Sequence, residues 1–156
     1  SASRRINENM VNVGLKKVVE TIKKKKINPK RISIFGLSFK GNPETSDIRG
    51  SLALPIINFF QRKYKNSQII GFDKHVYKTD INDLNIELER DPYEASKNTD
   101  LIIIQHNSEY IKEIDISEVV NLMNNDGIIY DYWTLFESYR KNSKKNIDYL
   151  TYGNGK

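Results

Sequence analysis

Apolar residues at Ile6, Met10, Val11, Leu15, Val18, Val19 and Ile22 recur at intervals of three, four and seven, and this single apolar face predicts one long helix over residues 4–26. Asn28-Pro29 punctuates the chain, and Arg31-Ile32-Ser33-Ile34-Phe35 then predicts a buried strand ending at Gly36. A polar loop runs to Gly50. Ser51 is the expected N-cap of a helix carrying Leu52, Leu54, Ile56, Ile57, Phe59 and Phe60, with Pro55 tolerated because it lies near the first turn. Further strands are predicted at 68–72, closed by Asp73, at 101–104, closed by Gln105, at 127–131 and near 147–151. Asp91-Pro92-Tyr93 marks a helix start with proline at the first helical position, and helices are also predicted around 116–123 and near 134–141. Residues 74–90 give no decided pattern.

Unbroken apolar runs such as Leu101-Ile102-Ile103-Ile104 suit strands covered on both faces, and the alternation of strands with helices implies a parallel, doubly wound sheet. In open sheets of this kind ligands bind beyond the carboxyl ends of the strands. Polar residues there carry the chemistry: the loop 36–50, Asp73, Gln105 with His106 and Asn107, and Asp131 with Tyr132 and Trp133. His106 has no evident partner nucleophile and reads as a hydrogen-bonded loop histidine, as does His75. Asp73 reads as a turn carboxylate, and no His, Asp and Glu grouping has metal-ligand spacing.

Composition narrows the class. A chain of 156 residues with 38% hydrophobic and 29% charged content fits one globular domain. No apolar run approaches the roughly eighteen residues that span a bilayer, and the expectation is a soluble, cytoplasmic protein without a membrane partner. The chain has no cysteine, which excludes disulfides, thiolate metal sites and a cysteine nucleophile within it. A net charge of +5 favours anionic partners. Much of that charge is Lys23-Lys24-Lys25-Lys26 at a predicted helix C-terminus, where cations complement the helix dipole; no aromatic residues interleave for base stacking, so nucleic acid is not the expected partner.

The segment Gly36-Leu37-Ser38-Phe39-Lys40-Gly41-Asn42-Pro43-Glu44-Thr45-Ser46-Asp47-Ile48-Arg49-Gly50-Ser51 follows the first strand. It is not the dinucleotide fingerprint, because Ser38 stands at the second glycine, and it is not a phosphate loop of the GxxxxGK[ST] type, because Asn42 and Pro43 occupy the lysine and hydroxyl positions. It offers a glycine turn, one lysine and one arginine at the mouth of a parallel sheet. Both cations suit a diphosphate; equally, they fit exposed loop charges, with Arg49 pairing Asp47 or Glu44.

The order strand, Gly-Leu-Ser-Phe-Lys-Gly-Asn, Asp-Ile-Arg-Gly-Ser, helix resembles the third-domain signature of UDP-glucose and UDP-N-acetylmannosamine dehydrogenases. Ala2-Ser3-Arg4-Arg5-Ile6-Asn7-Glu8-Asn9-Met10 is similar to that family's central helix, which links the catalytic half to this domain and builds the dimer interface. Ile70-Gly71-Phe72-Asp73-Lys74, Asp91-Pro92-Tyr93-Glu94-Ala95 and Asp100-Leu101-Ile102-Ile103 resemble its next elements in order. The resemblance implies a Rossmann-like α/β domain at residues 30–156, with residues 1–29 part of the interdomain helix. It implies the C-terminal UDP-sugar-binding part of an NAD-dependent homodimeric enzyme that oxidises a sugar C6 alcohol to a carboxylate in two steps. The NAD fingerprint and the nucleophilic cysteine of such enzymes lie in upstream domains, so the fragment alone is expected to be inactive.

By the same resemblance Lys40 reaches the substrate's phosphates, Phe39 contributes backbone contacts, and Arg49 lies near the cleft shared with NAD. Where many relatives carry an arginine after the aspartate at the strand end, this chain has Trp133, which suits stacking on a uracil face or ordinary packing as a half-buried aromatic. The competing reading is a stand-alone basic α/β module that binds nucleic acid or nucleotide without catalysis.

Overall fold

The computed structural model describes residues 6–141 and 144–153. Helix α1, Glu8–Lys25, begins four residues later than its apolar period predicts, because the Asn7 side chain accepts a hydrogen bond from the Met10 amide at 2.9 Å and caps the helix there. Residues 1–5, which carry part of the resemblance to a central helix, lie outside the described residues. At the other end Lys26 adopts the left-handed conformation, while Lys23, Lys24 and Lys25 occupy the last turn. The side chains of Val11, Leu15, Val18 and Ile22 are buried against the sheet, and the Tyr132 hydroxyl donates to the Val11 carbonyl at 2.7 Å.

Strands β1 (Arg31–Phe35), β2 (Gln68–Phe72) and β4 (Leu101–Ile104) fall where the apolar runs predict them. Strands β5 (Ile128–Asp131) and β6 (Asp148–Thr151) start one residue later than expected. A further short strand, β3 (Glu87–Glu89), and a 3-10 helix at Lys78–Leu84 occupy the stretch without a decided pattern. The six strands form one sheet in the order β3-β2-β1-β4-β5-β6, every neighbouring pair parallel. This is a doubly wound α/β, Rossmann-like sheet, and the strand order reverses between β1 and β4.

Alternate residues of each strand feed two cores. Ile32 and Ile34 pack with α1 and with α2 (Ala53–Lys63) on one face. On the other, Phe35, Ile102 and Ile104 pack with residues of α3 (Pro92–Ser96), α4 (Glu109–Lys112) and α5 (Ile116–Leu122). Asp91 caps α3 with Pro92 in its first turn, as the sequence indicates. Ser51 does not stand at the N-cap of α2, a position held by Leu52; its hydroxyl nevertheless accepts from the Ala53 amide at 3.1 Å and donates to the Ser38 carbonyl, tying the helix start to the preceding loop. The predicted helix near 134–141 is absent among the described residues. Thr134 takes a positive φ of 52°, and the Asp131 carboxylate draws in the Leu135 and Phe136 amides, closing a turn instead.

Candidate functional site

At the switch point the β1 loop meets the β4 loop. Gly36 has φ 95°, and a Cβ there would overlap the side chain of His106, so a glycine is required both by conformation and by the approach of the two loops. The next two amides, of Leu37 and Ser38, donate to Asp73 Oδ2 at 2.8 and 3.1 Å, while Asp73 Oδ1 accepts from the His75 and Val76 amides. Asp73 is fully buried. In a dinucleotide-binding sheet the loop amides after β1 face a pyrophosphate and the acid after β2 faces a ribose. Here the two sets satisfy one another, so this loop does not fit an NAD pyrophosphate, and the turn carboxylate expected at Asp73 is a brace between strands β1 and β2.

His106 is the second brace. It is 2% exposed, its Nε2 lies 2.6 Å from Ser38 Oγ, and its Nδ1 lies 3.3 Å from Ser108 Oγ. Burial pushes its pKa below the ordinary 6.5, against the opposing pull of Asp73. The expected hydrogen-bonded loop histidine is what the structure contains. His75, half exposed, faces Glu44 at 2.8 Å. Among the described residues no group of three or more histidine or acidic side chains is placed to hold a metal ion.

Beyond these braces opens a cavity of about 690 Å³, lined by Phe39, Lys40, Gln105, Asn107 and Trp133 and bordered by Asn7 at the start of α1. Phe39 is large, apolar and about half exposed. The Trp133 indole Nε1–H donates to the Gln105 carbonyl at 2.9 Å, which fixes the ring at the cavity wall. Its backbone is fixed too: the Trp133 amide donates to Asp131 Oδ1, and Tyr149 donates its hydroxyl to Asp131 Oδ2 at 2.7 Å. Burial raises the Asp131 pKa, the bond from Tyr149 and three backbone amides lowering it in opposition.

Three of the four site residues singled out in the sequence, Phe39, Lys40 and Trp133, therefore share one cavity. Arg49 does not line it. Its side chain is 88% exposed and its guanidinium grips Asp47 through Nε and Nη2, at 3.0 and 2.9 Å, a contact that lowers the Asp47 pKa to about 2. The cavity also contains residues that strand-end reasoning named but did not single out, Gln105 and Asn107, and residues that it missed at the start of α1, among them Asn7, which the apolar period places inside the helix and the structure places at its cap. In the lysine run, Lys25 pairs with Asp148 at 3.2 Å and donates to the Asn146 carbonyl, so part of that charge serves the fold. No described helix is long and apolar enough to cross a membrane.

Comparison with known proteins follows the same lines. Residues 33–138 match the model of the UDP-glucose/GDP-mannose dehydrogenase family, UDP binding domain. A UDP-glucose 6-dehydrogenase of Caenorhabditis elegans is 28% identical over 117 residues, covering 67% of this chain and 24% of that protein. The structure of the UDP-N-acetyl-mannosamine dehydrogenase Cap5O from Staphylococcus aureus superimposes with a TM-score of 0.61 at 26% identity, over 89% of this chain and 31% of that one. A UDP-D-ManNAc dehydrogenase from Pyrococcus horikoshii shares the fold, with a TM-score of 0.70 at 19% identity over 96% of this chain and 35% of that one. The chain thus spans between a quarter and about a third of the length of these relatives.

Proposed function

This chain belongs to the UDP-glucose/GDP-mannose dehydrogenase family, matching its UDP binding domain, and we propose that the cavity at the β1–β4 switch point grips the nucleotide end of a UDP-sugar. One observation carries the reading: Lys40 and Trp133, far apart in sequence, line the same cavity at the carboxyl ends of the parallel strands. Lys40 supplies a compact positive charge to the diphosphate, with Phe39 beside it. Trp133, a flat apolar face locked by its bond to the Gln105 carbonyl, stacks on the base. The two buried braces, Asp73 and His106, keep the Phe39–Lys40 turn in place before the ligand arrives, so little ordering is left for binding to pay.

The protein so assembled is an NAD-dependent dehydrogenase that oxidises the sugar C6 alcohol to a carboxylate as a homodimer. The residues described here bind and orient substrate; NAD and the nucleophile are held by other parts of the protein, and these 156 residues alone are silent in catalysis. Residues 1–29, with helix α1 at their centre, belong to the connection between the two halves, and residues 30–156 belong to the nucleotide-sugar domain. Arg49 faces the NAD side of the assembled cleft.

Chemical-shift mapping with UDP tests the proposal. Perturbations clustered at Phe39, Lys40, Gln105 and Trp133, with a shallow dependence on salt, are the expected result. Perturbations centred on Lys23–Lys26 and a steep loss with salt would instead support a nucleic-acid module.

A further inference from the structure

Gln105 closes the floor of the cavity and is 5% exposed. Nearly all of its polar atoms are engaged. Its backbone amide donates to the Phe35 carbonyl at 3.1 Å, its carbonyl accepts the Trp133 indole N–H, and its side-chain Nε2 donates to the Gly36 carbonyl at 2.7 Å, with the Ser38 carbonyl at 3.5 Å. Two carbonyls on one side fix the orientation of the amide, since a flipped group would set its oxygen against theirs. The remaining atom, Oε1, accepts no hydrogen bond among the described residues, and it is not among their fully buried unpartnered atoms. The residue lines the cavity, and Oε1 is its one polar atom without a partner among the described residues.

A nearly buried amide oxygen beside an aromatic wall calls for a donor from whatever enters. On the reading that this cavity takes a UDP-sugar, we infer that Gln105 is the specificity-determining residue for the base, its Oε1 accepting the N3–H of uracil. The ring of uracil presents one imide donor between two carbonyl acceptors, whereas cytosine presents a lone pair at the same ring position. Trp133 and Gln105 adjoin in the cavity lining, the indole being tied to the Gln105 backbone carbonyl, so a base stacked on the ring comes within reach of Gln105. Asn107, on the same cavity wall and without a hydrogen-bond partner among the described residues, is the neighbour available to a flanking carbonyl of the base. The discrimination is electrostatic as well as steric: cytosine would bring its lone pair against Oε1 and leave an acceptor unpaired, the costlier of the two failures of a buried hydrogen bond.

The test is calorimetric titration of the 156-residue chain with UDP, CDP, N3-methyl-UDP and the 2′-deoxy and 3′-deoxy forms of UDP. The expected result is that CDP and N3-methyl-UDP bind at least about tenfold more weakly than UDP, and that removing either ribose hydroxyl leaves this discrimination intact. Gln105→Met should bring the ratio of UDP to N3-methyl-UDP affinity close to one, whatever happens to the absolute affinities. If UDP binds and N3-methyl-UDP binds equally well, the inference is overturned while the reading of the cavity stands. A loss confined to a deoxy form shows that Oε1 meets the ribose and overturns it as well, as does an unchanged ratio in Gln105→Met. Failure of UDP itself to bind defeats the cavity reading and this inference together.

Discussion

The two halves of the loop between β1 and α2 look like one motif in the sequence and behave as two different objects in the structure. From Gly36 to Lys40 the chain is held from below: Asp73 takes the Leu37 and Ser38 amides, His106 meets the Ser38 hydroxyl, and Gln105 donates to the Gly36 carbonyl. From Thr45 to Gly50 the polar side chains mainly satisfy one another, with Asp47 accepting from both the backbone and the guanidinium of Arg49 in full view of solvent. The difference teaches that cationic residues at the mouth of a sheet are not equivalent. A charge on a turn fixed by buried partners is preorganised for an anion, whereas an exposed arginine already bidentate to a carboxylate must first give that partner up.

The sharpest way to break the contrast is to remove the brace. Asp73→Ala strands four backbone amides beneath the loop and is expected to lower folding stability by about 3 kcal/mol or more, read from chemical denaturation, and to abolish UDP binding. Next comes Lys40→Ala, which keeps the braced turn but removes its charge. UDP affinity should fall roughly tenfold to a hundredfold by calorimetry with the melting temperature unchanged, the signature of a ligand contact rather than a structural one.

The His106 brace predicts a smaller, pH-dependent effect. Its pKa lies below the ordinary 6.5 in the folded chain, so in that window the unfolded chain binds more protons. The contribution is therefore fully present above pH 6.5 and is lost as the pH falls from 6.5 through the depressed value. Denaturation midpoints should decline over that range in the parent chain, and His106→Gln should remove this part of the slope. Smallest of all is Arg49→Ala, expected to change UDP affinity of this chain by less than about twofold, because exposed ion pairs contribute little. A large loss there would erase the distinction between the two halves of the loop.

The sequence shows which parts of this arrangement obey local rules. Strands β1, β2 and β4 were legible to the residue, because short apolar runs such as Ile102-Ile103-Ile104, bounded by polar or turn residues, suit strands covered on both faces. Strand β3 was not, since Glu87-Leu88-Glu89 is an edge strand with charged flanks and only a half-buried leucine. The helix expected near 134–141 failed for a tertiary reason, the capture of the Leu135 and Phe136 amides by a buried Asp131, which no periodicity reports. At the site, the strand-end rule was enough to draw attention to Lys40, Gln105 and Trp133. That Asp73 points inward to the loop amides, that Asn7 borders the cavity, and that Arg49 stays with Asp47 depend on distances in three dimensions, and spacing along the chain carries none of them.

The most direct test of the central claim is a crystal structure of the chain with UDP bound. The account predicts the diphosphate against Lys40 and the base against the Trp133 ring, with the Asp73 and His106 contacts to the Leu37–Ser38 turn unchanged. A nucleotide bound elsewhere on the surface, with the Phe39–Lys40 turn facing only solvent, would contradict it.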